Sequence, residues 1–177
     1  MNKSLLFILL VVVLGSCTAA KTFLDSKEGT DYKTIVKSKC PENGICELYV
    51  FQNSSLQIQT DGIGQSYYDM TFDAEKSVIM YEYKSKSADG LEDGIHTERI
   101  VFEIRNNVPE LIIEDFELSN LTMFYERHCF CKGQTGMFPI RKGRLELYNL
   151  GKDLKINLKI DQVDVPFLIK ELNAEIK

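Results

Sequence analysis

The chain has 177 residues, of which 44% are hydrophobic and 27% charged, and its formal net charge is −5 at pH 7. This acidic balance argues against a nucleic-acid-binding protein, because there is no broad excess of basic residues to offset phosphate charge. The length fits one domain with a single hydrophobic core.

The first seventeen residues have the pattern of a secretory signal. A charged start containing Lys3 precedes ten unbroken apolar residues, Leu5 to Leu14, which are followed by Gly15, Ser16 and Cys17. As a helix, ten residues rise only about 15 Å, against a hydrocarbon core of about 30 Å. The run therefore predicts the apolar region of a cleaved signal and not a membrane span.

The sequence Leu14-Gly15-Ser16-Cys17 resembles the lipobox of bacterial lipoproteins. This resemblance covers only these four residues at the end of the signal. It implies cleavage before Cys17, acyl chains such as palmitate on that residue, and stable attachment to a lipid bilayer. Because Thr18 and not an aspartate follows the cysteine, the resemblance favours the outer membrane, with the protein facing the periplasm. Two alternatives are ordinary secretion with cleavage after Ala20 and retention as an uncleaved anchor.

The chain is therefore divided into three segments. Residues 1–16 are the signal peptide, residues 17–39 are a polar, lipid-anchored tether, and residues 40–177 form one domain. Removal of the signal leaves 161 residues, with 20 basic and 26 acidic side chains. No repeat or shift in composition indicates a second domain.

Alternating apolar and polar residues predict a series of short strands in the domain. Turn sequences rich in Gly, Asn, Asp and Pro separate them. In chain order the predicted strands are Glu47–Gln52, Leu56–Gln59, Tyr67–Phe72, Ser77–Lys84, Glu98–Arg105, Glu110–Asp115, Leu118–Cys131, Arg144–Leu150 and Leu154–Ile160.

The last two strands form the clearest predicted hairpin, joined through residues 151–153. After them, Pro166 and the spacing of Leu168, Ile169, Leu172 and Ile176 predict a short amphipathic C-terminal helix. The fold class expected is all-β, a single antiparallel β-barrel or β-sandwich of about nine or ten strands with this short helix.

Four cysteines remain once Cys17 is assigned to lipidation, and they are expected to form two disulfides in an oxidising compartment. Cys129 and Cys131, two apart in a predicted strand, would have Cα atoms about 6.5 to 7 Å apart, at the limit of a disulfide. Cross-pairing of these two residues with Cys40 and Cys46 is therefore favoured. The alternative is local pairing, in which Pro41 and the Asn43-Gly44 pair supply a turn between Cys40 and Cys46.

Two reactive alternatives centre on Cys129 and Cys131. With Cys40 and Cys46 they offer four soft ligands for zinc, although the spacings are not those of a known zinc knuckle. A disulfide between Cys129 and Cys131, with His128 beside it, is the basis of a thiol redox hypothesis.

No residue set predicts a catalytic site, so an enzyme is not expected. The two histidines, His96 and His128, are not accompanied by a G-x-S-x-G nucleophile motif, and His96 is interpreted as a polar loop residue. No cofactor or metal is expected. The predicted function is a non-enzymatic binding or envelope-accessory role, with an envelope protein as a candidate partner. An alternative is a barrel that binds a small apolar ligand in a cavity lined by tyrosines.

Overall fold

The computed structural model describes residues 34–86, 95–150 and 153–177. The predicted signal peptide, Cys17 and the tether up to residue 33 lie outside the described residues. Within the described ranges, every helix is too short or too polar to cross a membrane.

The described residues form ten strands and one short 3₁₀ helix. The strands are β1 (Thr34–Val36), β2 (Gly44–Thr60), β3 (Ser66–Ser85), β4 (Thr97–Arg105), β5 (Glu110–Glu114), β6 (Met123–His128), β7 (Gly136–Phe138), β8 (Ile140–Asn149), β9 (Leu154–Val163) and β10 (Glu171–Ile176). The 3₁₀ helix, Asp115–Asn120, connects β5 to β6. The all-β prediction is confirmed.

The strands make two antiparallel sheets of five. One sheet has the order β1-β10-β9-β8-β5 and the other has the order β2-β3-β4-β6-β7. Neither sheet closes into a barrel within the described ranges. The predicted hairpin near the C-terminus is confirmed as the antiparallel pair β8 and β9, in which Leu145 lies opposite Leu158.

The inner faces of both sheets contribute to one hydrophobic core. Ile79, Ile100 and Phe102 from one sheet and Ile156 and Leu158 from the other are all fully or nearly fully buried in the same cluster. Alternation places these side chains on one face of each strand, so the sheets pack against each other through these faces.

The hairpin of β2 and β3 is much longer than the strands beside it. At its bend, the register shifts between Gln52 and Ser54, so that residues 73–76 lie opposite Asn53 alone. Beyond this bulge the distal hairpin, residues 54–72, leaves the β3–β4 pairing, and we call it the arm. The arm packs Leu56 against Val78, Val101 and Phe124 on the outer face of its own sheet, forming a second small core.

The prediction of a C-terminal helix is wrong. Residues 171–176 form β10, which pairs with β9 on one side and with β1 on the other. The spacing from Leu168 to Ile176 fits a helix, but Leu172, Ala174 and Ile176 also alternate, and all three are buried in the core. The alternation prevails because a strand here pairs with β9 on one side and β1 on the other, and so covers the edge that β9 would otherwise expose.

Candidate functional site

The sheets have two ends with different chemistry. We call the end that holds the start of β4, the end of β6 and all four described cysteines the disulfide end. The opposite end holds the last residue of β4, Arg105, and the first residue of β9, Leu154, which line one pocket. We call it the pocket end.

The structure pairs the cysteines locally, as Cys40–Cys46 and Cys129–Cys131, with Cα separations of 5.7 Å and 5.2 Å. The favoured cross-pairing is therefore wrong. The estimate of a wide separation assumed an extended strand through Cys131, whereas β6 ends at His128 and the chain turns after it. The turn shortens the distance between the two Cα atoms enough for a bond.

The Cys129–Cys131 turn exposes one large aromatic side chain. Phe130 lies between the two cysteines and is 99% exposed. The turn is fixed by the Thr135 hydroxyl, which donates to the Cys129 carbonyl at 2.7 Å, and by the Gln134 N–H, which donates to the Cys131 carbonyl at 3.1 Å. His128 Nε2 lies 2.8 Å from the Glu126 carboxylate. This ring nitrogen therefore contacts a carboxylate and not a cysteine sulfur.

A buried carboxylate, Glu98, lies next to this turn. Its side chain is fully buried on the inner face of β4. The Tyr125 hydroxyl donates to Oε2 of Glu98, and the backbone N–H groups of Leu168 and Ile169 donate to the same oxygen at 2.7 and 3.2 Å. Glu98 thus fastens the β9–β10 connection of one sheet to the inner face of the other.

The second oxygen of Glu98 has charged and polar neighbours but no aligned hydrogen-bond donor among the described residues. Oε1 lies 2.9 Å from His96 Nε2 and 3.6 Å from Arg127 Nε. Arg127 Nε also contacts His96 Nε2, at 3.2 Å. The guanidinium charge of Arg127 therefore compensates the buried carboxylate.

Burial, together with the charge of Glu98, raises the pKa of Tyr125 far above its usual value. Tyr125 therefore remains a protonated donor throughout the physiological range. The Tyr125 ring also packs edge-on against Phe167, with ring centroids 5.8 Å apart. We call Glu98, Tyr125, Arg127 and His96 the Glu98 cluster. Its polar groups are directed mainly at one another and at the backbone, an arrangement that stabilises the disulfide end.

A second charged network lies on the outer face of the same sheet. Arg99 is opposite Glu82 on β3 and Glu126 on β6, and it contacts their carboxylates at 2.6 and 3.0 Å. Burial opposes ionisation of Glu126, but the hydrogen bond from His128 and the charge of Arg99 outweigh it, so its pKa lies below the usual range. Tyr68 of the arm packs against Phe124 beside this network, with centroids 5.1 Å apart, and burial raises its pKa to about 12.

The pocket end contains an open cavity of about 280 Å³ between the two sheets. Its apolar walls are Ile104, Val108, Leu111, Leu121, Leu147 and Leu154. Lys76, Glu103 and Arg105 are the charged residues that line it. None of the lining residues is a tyrosine, so this cavity differs in composition from the one predicted for a ligand-binding barrel.

The sequence prediction missed the Glu98 cluster, although a signal was present. Glu98 lies two residues before Ile100 and Arg127 lies two residues after Tyr125, so each charged residue shares the face of a core residue. Charged residues on an apolar face indicate a buried pair. Among the residues that the structure describes, no group of three or more His, Cys, Asp or Glu side chains is arranged to hold a metal ion.

Comparison with known proteins gives no relative on which to base a function. No family model matches the chain, and no curated protein and no solved structure matches it either.

Proposed function

We propose that this protein is a bacterial lipoprotein, anchored in the outer membrane through acylated Cys17 and facing the periplasm, with a non-enzymatic binding or envelope-accessory role. The observation that carries the proposal is the sequence Leu14-Gly15-Ser16-Cys17 directly after ten apolar residues and a charged start. Acyl chains contribute about 0.8 kcal/mol per buried methylene, so two or more chains keep a protein on a bilayer.

The placement of the first described strand supports a tethered domain. Thr34, where β1 begins, lies opposite Ile176, which in turn lies opposite Leu154 at the pocket end. The chain from Cys17 thus enters the domain at the pocket end. In the proposed orientation this end is nearer the bilayer, and the disulfide end with Phe130 points away from it.

A β-sandwich is the architecture that we propose for the domain. Its two five-stranded sheets share one core, as in sandwiches, and their connecting loops lie at the two ends. Loops at the ends of a rigid sandwich are common positions for binding residues. Two disulfides suit an oxidising compartment such as the periplasm.

A non-enzymatic role is supported by the environment of the reactive groups. The carboxylates of Glu98 and Glu126 are held by hydrogen bonds or ion pairs to neighbouring residues. Groups engaged in this way contribute to stability and specificity of the fold. A hydrolase or oxidoreductase turnover by the purified protein that is lost in His96→Ala or Cys131→Ser would overturn this part of the proposal.

The anchor is tested by metabolic labelling with an alkyne-bearing palmitate in the native host. The wild-type chain should incorporate the label and be recovered in the outer membrane, and Cys17→Ser should incorporate none. Ser16→Ala is the matched control, because it keeps a small residue before the cysteine and should label normally. Unlabelled wild-type protein with an N-terminus at Lys21 would instead establish ordinary secretion.

The second candidate function is a thiol redox or zinc protein centred on Cys129 and Cys131. The observation that favours it is the position of this disulfide in a turn beside the fully exposed Phe130. Titration with dithiothreitol separates the two candidates. A structural staple should resist reduction until the protein unfolds, whereas a redox site should be reduced in the folded protein and zinc should bind the reduced form.

A further inference from the structure

The cavity at the pocket end has walls made by the core itself. Leu147 is 5% exposed and Ile104 is 9% exposed, and they come from different sheets. Leu111, Leu121 and Leu154 are half-buried and pack against the same core. The cavity is therefore an apolar slot into the interface between the sheets, and its volume of about 280 Å³ lies just below the usual range of small-molecule sites.

Among the described residues that line the cavity, one cation has no ion pair. Lys76 Nζ contacts Glu103 Oε1 at 2.8 Å, so this lysine is already paired. Glu103 also accepts hydrogen bonds from the Ser55 hydroxyl at 2.7 Å and from the Leu56 N–H at 2.9 Å. The Arg105 side chain has no ion pair with a described residue. A narrow apolar slot with an exposed arginine among its lining residues is complementary to an aliphatic chain that ends in an anion.

We propose that this cavity binds a single-chain aliphatic carboxylate, a fatty acid anion of medium length. The alkyl chain occupies the slot between Leu111, Leu147 and Leu154, and the carboxylate pairs with Arg105. This inference deepens the proposed binding role. It rests on the proposed membrane anchor. Because the anchored chain enters the domain at the same end as the cavity, the membrane would be the source of the ligand.

The binding is tested by photolabelling of the mature acylated protein in vesicles of phosphatidylethanolamine and phosphatidylglycerol. The probe is a ten-carbon carboxylate that carries a diazirine on its chain and a terminal alkyne. Adducts should map by mass spectrometry to residues 104–111 and 147–154, and unlabelled decanoate should compete. The methyl ester of the probe, which lacks the anion, should label these residues about fivefold less.

Two variants separate the contributions of charge and shape. Arg105→Gln should lower labelling about fivefold. The matched control Arg141→Gln removes an exposed arginine at the disulfide end of β8 and should leave labelling unchanged. Val108→Trp should fill the slot and abolish labelling, whereas Val108→Ile should largely preserve it. Circular dichroism and the urea unfolding midpoint confirm that each variant is folded.

Adducts scattered over the surface, or labelling at the slot that is the same in Arg105→Gln and wild type, would overturn the proposal. Labelling by a phospholipid that carries the same photoreactive chain, without labelling by the free acid, would also overturn it, since the ligand would then be a membrane lipid. Failure here is distinguishable from failure of the anchor. Acylation of Cys17 is read from palmitate incorporation and binding is read from adducts on the slot.

Discussion

Single residues explain why the two sheets hold together at the disulfide end. Glu98 is a carboxylate in the core, and such a group is tolerated only when it is paired and hydrogen-bonded. Tyr125, Arg127 and two backbone N–H groups supply these partners. Because the backbone groups belong to the β9–β10 connection, one side chain links the two sheets.

Tyr125→Phe should destabilise the protein, because it removes the hydroxyl that donates to the buried carboxylate. The expected loss is about 1 to 3 kcal/mol in the free energy of unfolding, measured by urea denaturation at pH 7. Tyr148→Phe is the control at a half-buried tyrosine outside the cluster. Equal midpoints for wild type and Tyr125→Phe would show that the hydrogen bond to Glu98 does not stabilise the fold.

Glu98→Gln should be at least as costly and should couple to the tyrosine change. Glutamine removes the charge that Arg127 compensates and leaves that guanidinium buried without its partner. In a double-mutant cycle, Tyr125→Phe and Glu98→Gln should be non-additive by about 0.5 to 3 kcal/mol. Additive effects would mean that the two groups stabilise the protein independently.

Docking of the arm on the outer face of its own sheet depends on one ionised side chain, Glu103. Glu103 on β4 receives the Lys76 ammonium, the Ser55 hydroxyl and the Leu56 N–H, the last two from the arm. Burial disfavours the charged form of Glu103, but these donors outweigh it, so its pKa is lowered from the ordinary value of 4.5. Such a group stabilises the folded state above the unfolded pKa, and this contribution is lost as pH falls through the lower, folded pKa.

Glu103→Gln should therefore destabilise the protein in a pH-dependent way. The difference in unfolding free energy between wild type and variant should be about 1 to 2 kcal/mol at pH 7 and should shrink progressively below about pH 4.5. Urea denaturation at several pH values measures it, and amide exchange should show faster opening of residues 54–72 in the variant. A difference that does not change with pH would contradict the role given to the charge.

The local pairing of the two disulfides can be tested by peptide mapping. Tryptic digestion without reduction should leave the peptides of Cys40 and Cys129 unconnected, and Cys129→Ser with Cys131→Ser should leave no free thiol. A peptide with Cys40 joined to Cys129 or Cys131 would contradict local pairing. Asn43, with φ of 61°, provides the left-handed turn inside the first disulfide.

Much of the strand content could be predicted from alternation, because inward residues such as Ile100 and Leu158 repeat every second position. The β10 strand and the arm could not. For β10 the apolar residues fit both helical and strand spacing, and only pairing with β9 and β1 decides between them. For the arm, each strand segment was predicted, but the bulge opposite Asn53 that carries them onto the outer face depends on tertiary contacts.

The candidate sites, too, could be predicted only in part from the sequence. The assignment of four cysteines to two disulfides agrees with the structure, whereas the pairing depended on where β6 ends, which sequence patterns locate poorly. Residues of the pocket end are far apart in sequence, as Ile104 and Leu154 illustrate. They meet only because two sheets pack together, so no local pattern predicts the cavity.

At the scale of the whole molecule, we propose separate roles for the two ends. The first described strand enters the domain at the pocket end, and the disulfide-bonded turns with Phe130 lie at the other. A tether from Cys17 to Thr34, extended at about 3.3 Å per residue, would allow the domain to reach about 50 Å from the bilayer. In the proposed arrangement, the disulfide end would then be far enough from the bilayer to contact a partner.

The central claim is that this chain is processed and acylated at Cys17 and carries two disulfides in the mature form. Intact-mass spectrometry of protein isolated from its native host, before and after reduction, tests it most directly. We expect a chain without residues 1–16, heavier by its acyl groups, that gains four hydrogens on reduction. A full-length chain with unmodified Cys17 and no change on reduction would contradict the account.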